Sequence, residues 1–155
     1  MKQIKYLIMD VDGTLTDGKI YMSAQGELFK TFNVKDGCGI HDIAMANGMV
    51  PIILTGRKSE IVLNRCKELG ITNIYQGVSD KSEKISLIAE DLRKVAYIGD
   101  DINDLECMKL VKAAGGVVGC PKDAVQEVLK IADFVASHNG GDGAVRDFIE
   151  WLIVQ

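Results

Sequence analysis

Four short stretches of this chain mix carboxylates with glycine, a hydroxyl and cationic side chains. They are Asp10-Val11-Asp12-Gly13-Thr14, Thr55-Gly56-Arg57, Asp80-Lys81 and Gly99-Asp100-Asp101-Ile102-Asn103-Asp104. Taken singly, an acid in such a place often does no more than cap the next helix. As a set they demand more, because carboxylates that converge repel one another unless a cation neutralises them. A donor set of oxygens without His or Cys suits a hard cation. Mg2+ in particular is typically held by one or two carboxylates together with waters and phosphate oxygens. Thr55 and Lys81 then read as donors to the oxygens of the same phosphate, which makes the reaction class metal-assisted phosphoryl transfer. Asp10 and Asp12, at i and i+2, can divide the work of nucleophile and proton shuttle, while Val11 between them turns into the packing.

The elements that must position these groups follow from periodicity. Residues 4–9, 50–54 and 95–98 are short apolar runs, with weaker ones at 73–75 and 116–118, and such runs flanked by Gly or Pro read as strands buried on both faces. Between them lie helical patterns at 36–47 and 59–69, ending at Gly48 and Gly70 as helix C-caps, then at 80–92, 103–110, 124–129 and 142–153. Alternation of strand and helix predicts an α/β fold: a three-layer, doubly wound parallel sheet with helices on both faces. In such sheets ligands bind beyond the carboxyl ends of the strands, where all four stretches fall. Residues 18–34 break the rhythm. Two alternating runs, 19–22 and 28–32, flank a Gly-containing turn and predict a β-hairpin.

Length and composition narrow the function classes. At roughly 100–200 residues per domain, 155 residues predict a single domain spanning 1–155, and no linker or repeat interrupts it. Apolar residues make up 47% and the net charge is −4, which suits a globular protein and argues against a nucleic-acid backbone as partner. No apolar run approaches the roughly 18 residues needed to span a bilayer, so no membrane role is expected. Cys38, Cys66, Cys107 and Cys120 are scattered without a CxxC pair, which predicts reduced thiols and a cytoplasmic protein.

The four stretches, in this order, resemble the motifs of the haloacid dehalogenase-like phosphatases. The residues Asp17-Gly18-Lys19-Ile20-Tyr21, Phe32-Asn33-Val34-Lys35-Asp36-Gly37 and Gly140-Gly141-Asp142-Gly143-Ala144-Val145-Arg146 extend the likeness to a small capless branch acting on keto-sugar-acid phosphates, across essentially the whole chain. The resemblance implies Asp10 as the nucleophile that forms an aspartyl-phosphate and Asp12 as the acid that protonates the leaving sugar and then activates water. It implies Mg2+ held by Asp10, Asp100 and the backbone carbonyl of Asp12. Thr55, the Gly56 amide and Lys81 would bind phosphoryl oxygens, with Asp101 and Asp104 supporting the metal shell and the lysine. The implied substrate is 3-deoxy-D-manno-octulosonate 8-phosphate, with nine-carbon keto-acid 9-phosphates as the alternative. Relatives that act on those longer acids carry an acid at the position of Arg57.

Two inferences concern specificity and assembly. About two dozen residues separate Asp12 from Asp36, and a similar number separate Arg57 from Lys81, so neither gap holds a lid domain. Either the substrate is its own lid or a neighbouring subunit closes the site; the second is expected, through the apolar face of the hairpin (Ile20, Met22, Leu28). The resemblance implies that this assembly is a homotetramer in which the glycine-rich C-terminal segment reaches a neighbour's site, with Arg146 reading the substrate carboxylate. Arg57 and Arg65, eight residues and about two helical turns apart, are expected near the site for the same recognition. Two readings of a different class compete. In a phospho-receiver the acceptor aspartate follows a middle strand, where this chain has Thr55. In a non-catalytic tetramerisation subunit, an intact acid set has no explanation. Neither His41 nor His138 is needed as a catalyst, because Asp12 fills the acid–base role.

Overall fold

The computed structural model describes residues 3–155. Six strands form one parallel sheet: β1 (Tyr6–Met9), β4 (Val50–Leu54), β5 (Asn73–Tyr75), β6 (Val95–Ile98), β7 (Val117–Cys120) and β8 (Phe134–Val135). Their spatial order is β5-β4-β1-β6-β7-β8. The chain therefore winds outward from β1 through β4 to β5, crosses back to lay β6 against β1, and winds outward the other way. Strand order reverses between β1 and β6, the place where a doubly wound sheet opens a crevice at its carboxyl edge. Alternate side chains enter opposite layers, as the period of two requires. Leu7 and Met9 face one core with Ile40, Val145, Phe148 and Ile149. Ile8 and Tyr97 face the other with Ile85, Met108, Val111 and Val128. No helix among the described residues is long and apolar enough to cross a membrane.

The helices are α1 (Val34–Cys38), α2 (Glu60–Leu69), α3 (Lys81–Ile88), α4 (Leu105–Ala114), α5 (Gln126–Ile131) and α6 (Ala144–Ile153). The pattern at 36–47 does not make one regular helix. Beyond α1 the coil widens to π pitch over Gly39–Ala44 and tightens to 3-10 over Met45–Asn47 before the left-handed Gly48 ends it. Its two glycines explain the irregularity. A Cβ on Gly37 would meet the Arg65 guanidinium, and one on Gly39 would meet Arg146, so α2 and α6 press directly on the backbone there. The expected helix at 80–92 stops at Ile88, because Asp91 caps a separate 3-10 turn, Leu92–Lys94, with its side chain accepting from the Arg93 amide. Helix α4 runs on to Ala114, where the left-handed Gly115 closes it. Strand β8 was not expected; two residues at a sheet edge carry no periodicity.

The hairpin pairs β2 (Tyr21–Ser23) with β3 (Gly26–Phe29), antiparallel, with the Tyr21 and Phe29 rings stacked at 4.4 Å. It is tighter than expected: Ser23 and Gly26 pair directly across a two-residue turn. The second strand ends at Phe29, so Lys30 lies outside the ladder.

Candidate active site

At the carboxyl edge, Asp10 follows β1 and Asp100 follows β6 by one glycine, on adjacent strands paired Met9 to Ile98. The chain turns sharply after Asp10, with the amides of Thr14, Leu15 and Thr16 all donating to the Val11 carbonyl. That leaves the Asp12 carbonyl out of the turn's hydrogen bonding. Gly13 sits at φ 88°, and a Cβ there would lie 1.9 Å from Asp100 Oδ2. Glycine is thus required at this motif position by backbone conformation and by the passage of the Asp100 carboxylate. Thr14 Oγ1 donates to Asp100 Oδ1 at 3.2 Å.

Lys81, at the start of α3, is buried with its ammonium 2.9 Å from both Asp10 Oδ1 and Asp104 Oδ1. Asp104, wholly buried, also takes the Tyr97 hydroxyl on Oδ1 and the amides of Asp100 and Asp101 on Oδ2. One oxygen each of Asp10, Asp100 and Asp104 lie within 4.8 Å of one another. The three carboxylates are not equivalent, because Asp104 already holds four donors and serves as the anchor of Lys81. Asp10 and Asp100 are the ones left to bind a cation.

The electrostatics agree. Burial first, then the charge of Asp104, push Asp10 up to about 6 against the pull of Lys81. Burial and the neighbouring Asp10 push Asp100 up to about 9. Lys81 alone does not offset two carboxyls held this far above their ordinary range, and a divalent ion between them would supply the missing charge. The donors on hand, two carboxylates and the Asp12 carbonyl, are all oxygen and fit Mg2+. Burial pulls the Lys81 ammonium down, but Asp10 and Asp104 outweigh it and leave its pKa raised.

The remaining expected residues fall in three places. Thr55, buried, follows β4 beside Asp10's strand and is fixed at both backbone groups: its amide donates to Tyr75 O and its carbonyl accepts from Val78. Gly56 and Arg57 come next, and Arg57 is exposed close enough to Glu27 for its charge to help hold that carboxyl low. Asp101 turns away from the cluster and caps the 3-10 turn Ile102–Asp104, accepting from the Ile102 amide at 2.7 Å. Arg65 is not beside Arg57. It lies over the Phe32 ring at 5.8 Å, pairs with Glu68 and backs onto Gly37. Arg57 precedes helix α2, which begins at Glu60, and the five residues from there to Arg65 carry it about 7.5 Å along the helix.

Arg146 likewise faces its own fold. Its side chain pairs with Glu150 and reaches the Lys35 carbonyl, while its amide donates to Asp36 Oδ1. The glycine-rich segment before it lies on its own subunit's catalytic turn. The Gly141 amide donates to Thr14 O, and a Cβ on Gly140 would fall 1.9 Å from Gly13 O. Within the chain, then, the glycine-rich segment packs on the turn that carries Asp10 and Asp12.

Sequence reasoning missed four residues. Lys30 Nζ lies 2.6 Å from Asp12 Oδ1 and 2.8 Å from Glu27 Oε1. Glu27 Oε2 in turn accepts from Ser59 Oγ at 2.7 Å. Nothing in the alternation of the hairpin singles these out. Tyr97 did leave a trace: a phenol inside an apolar strand run needs a buried partner, and here it is Asp104.

No family model matches the chain. Curated relatives do. The 3-deoxy-D-manno-octulosonate 8-phosphate phosphatase KdsC of Escherichia coli (strain K12) is 42% identical over 157 residues, covering 99% of this chain and 81% of the relative. That of Salmonella typhi is 41% identical over the same span. Among solved structures, the phosphatase of the same name from Moraxella catarrhalis, in complex with magnesium, phosphate and KDO, superposes with a TM-score of 0.90. It is 35% identical and is matched over 99% of this chain and 87% of that one. The cobalt-bound enzyme from Haemophilus influenzae gives a TM-score of 0.88 at 35% identity, over 99% and 89% of the two chains.

Proposed function

The chain belongs to the 3-deoxy-D-manno-octulosonate 8-phosphate phosphatase family of the haloacid dehalogenase superfamily, and on that premise we propose that it hydrolyses 3-deoxy-D-manno-octulosonate 8-phosphate in a Mg2+-dependent reaction. The observation that carries the reading is the buried convergence of Asp10, Asp100 and Lys81 where strand order reverses, an arrangement built to receive a phosphoryl group.

Asp10 attacks phosphorus in line as the bond from phosphorus to the sugar oxygen breaks, which leaves an aspartyl-phosphate. Asp12 gives its proton to the departing sugar oxygen. It then takes a proton from the water that attacks phosphorus, releasing inorganic phosphate and restoring Asp10. Splitting the hydrolysis through a covalent intermediate replaces one difficult step with two easier ones. Thr55, the Gly56 amide and Lys81 hold the phosphoryl oxygens, and Asp104 holds Lys81 in place for them. Asp10, Asp100 and the Asp12 carbonyl would hold the Mg2+ ion, which when bound neutralises charge on the phosphate and on the two carboxylates.

Support for an oligomer comes from the hairpin. Ile20, Met22, Leu28 and Phe29 are exposed on it, and an isolated two-stranded hairpin is marginal in water. Packing of four copies through these faces buries them and closes the open edge of each site.

The test is kcat/KM across eight- and nine-carbon keto-acid phosphates and hexose phosphates, with Mg2+ and with EDTA. The eight-carbon substrate should lead by at least about 10-fold, the discrimination that one carbon allows in a pocket, and EDTA should abolish turnover. Equal rates on hexose phosphates would overturn the substrate, and activity in EDTA the metal.

A further inference from the structure

The catalytic turn carries a second cation that the reading above does not use. Lys30 leaves the hairpin directly after β3, and its side chain is 3% exposed although the strands around it present open faces. A lysine so covered is costly unless paired, and this one is paired twice, to Asp12 and to Glu27. Glu27 is held in turn by the Ser59 hydroxyl, and the Ser59 amide donates to Gln76 Oε1 at 2.8 Å. A continuous chain of contacts therefore runs from Asp12 through the hairpin to the start of α2 and the loop after β5.

We propose that Lys30 is a positioning residue for Asp12, held by Glu27, that fixes the carboxyl group through both proton transfers. The proposal rests on the reading of Asp12 as the acid and base. Asp12 has one oxygen engaged by Lys30, Oδ1, which leaves Oδ2 to meet the sugar oxygen in the first step and water in the second. A carboxyl on a turn is otherwise free to rotate about two side-chain bonds, and proton transfer is sensitive to such freedom: a displacement of about 1 Å can cost 10²-fold in rate. Because Glu27 grips the same ammonium from the hairpin side, Lys30 cannot follow Asp12 if it swings.

Leaving groups separate this role from a structural one. A sugar alkoxide needs the proton from Asp12 to depart, whereas 4-nitrophenolate does not; both routes need Asp12 to activate water afterwards. Lys30→Met should lower kcat on the sugar phosphate about 10- to 100-fold with KM little changed. With 4-nitrophenyl phosphate, phosphorylation of Asp10 should stay fast and a pre-steady-state burst of nitrophenolate should appear as dephosphorylation slows. Lys30→Arg, which can still donate to both carboxylates, should restore most of the rate and remove the burst. Should Lys30→Met fold poorly, Glu27→Gln keeps the lysine while loosening its hold, and should give a smaller kcat loss with the same burst.

Wild-type kcat in Lys30→Met, or an equal loss on both substrates without a burst, would overturn the proposal. Asp12→Asn run alongside separates the two levels. If it is inactive on the sugar phosphate while Lys30→Met is normal, only the role of Lys30 falls. If Asp12→Asn turns over normally, the assignment of Asp12 falls and the role of Lys30 with it.

Discussion

Replacing Asp104 by Asn tests whether this residue is a helix cap or the keystone of the charge cluster. Its carboxylate accepts from Lys81, Tyr97 and the amides of Asp100 and Asp101, all with the side chain wholly out of water. An amide cannot accept on both ends. The best placement keeps its oxygen on the two backbone amides and turns its NH2 to Tyr97, whose hydroxyl rotates to accept. Lys81 then faces a donor, and that contact is lost at about 1.5–3 kcal/mol. The other three contacts fall from charge-assisted to neutral, at about 1 kcal/mol each. Against this, removing a negative charge whose oxygen lies within 4.8 Å of those of Asp10 and Asp100 relieves repulsion, on the order of 1–2 kcal/mol. The net is a destabilisation of about 2.5–5 kcal/mol, or roughly 5–20 °C in Tm.

A lost cap alone would cost about 0.5–2 kcal/mol, so the lower end of the range must be separated by a second readout. Mg2+ provides it. When the ion neutralises Asp10 and Asp100 there is no repulsion left to relieve, so the loss in Asp104→Asn should be greater in Mg2+ than in EDTA. Urea unfolding followed by circular dichroism, with kcat measured in parallel, reads both. A loss under about 1 kcal/mol that is the same with and without the ion would refute the reasoning, and the residue would then be a cap.

Two further perturbations probe the frame around the site. Asp36 is buried, with Oδ1 on the Arg146 amide and Oδ2 without a partner, and burial pushes it up to about 6 from 3.8. The folded state therefore holds this proton more tightly than the unfolded chain does, so the group's contribution to stability falls as pH rises from about 4 to about 6 and stays low above that, by up to about 3 kcal/mol. Asp36→Asn should stabilise the protein at pH 7.5 and flatten the difference curve between pH 4 and 6; a destabilised variant at pH 7.5 would contradict this. Gly140→Ala drives a methyl against the backbone carbonyls of Gly13 and Thr16, neither of which can yield as a flexible side chain would. It should cost about 1–3 kcal/mol by overpacking and should lower kcat by moving the catalytic turn. Unchanged Tm and kcat would mean that the segment does not bear on the turn.

Three of the chemistry-bearing stretches were legible because each follows a strand buried on both faces, and an uninterrupted apolar run that ends in an acid or a hydroxyl is visible in one dimension. Strands β1, β4 and β6 are cases of this, with Asp10, Thr55 and Asp100 just beyond them. Asp80-Lys81, by contrast, lies past the short, half-buried β5. Order along the chain also sufficed to expect the doubly wound sheet. What periodicity could not carry was decided by contacts between elements. The change of helical pitch after α1 depends on which helices lie on Gly37 and Gly39. A spacing of two helical turns does not relate Arg65 to Arg57, because α2 begins only at Glu60 and Arg65 settles over the Phe32 ring. Lys30 was passed over because its partner Asp12 lies 18 residues away, and only the fold of the hairpin brings them together.

The balance of charge at the centre also bears on the order in which ligands arrive. Lys30 stands against Asp12 and Glu27, and Lys81 alone against Asp10, Asp100 and Asp104. A phosphate monoester brings close to two negative charges of its own, into a buried place where repulsion is screened less than at the surface. Without a cation, the nucleophilic carboxylate and the phosphoryl oxygens repel at the distance where they must react. Burial and the charge of Asp10 push the Asp100 carboxyl well up, which relieves part of this repulsion. Held by Asp10 and Asp100, a divalent cation would bring the three carboxylates and Lys81 close to neutrality and leave Lys81, Thr55 and the Gly56 amide attractive to the substrate. Cation first and phosphate second is thus the order that the protein's own charges favour.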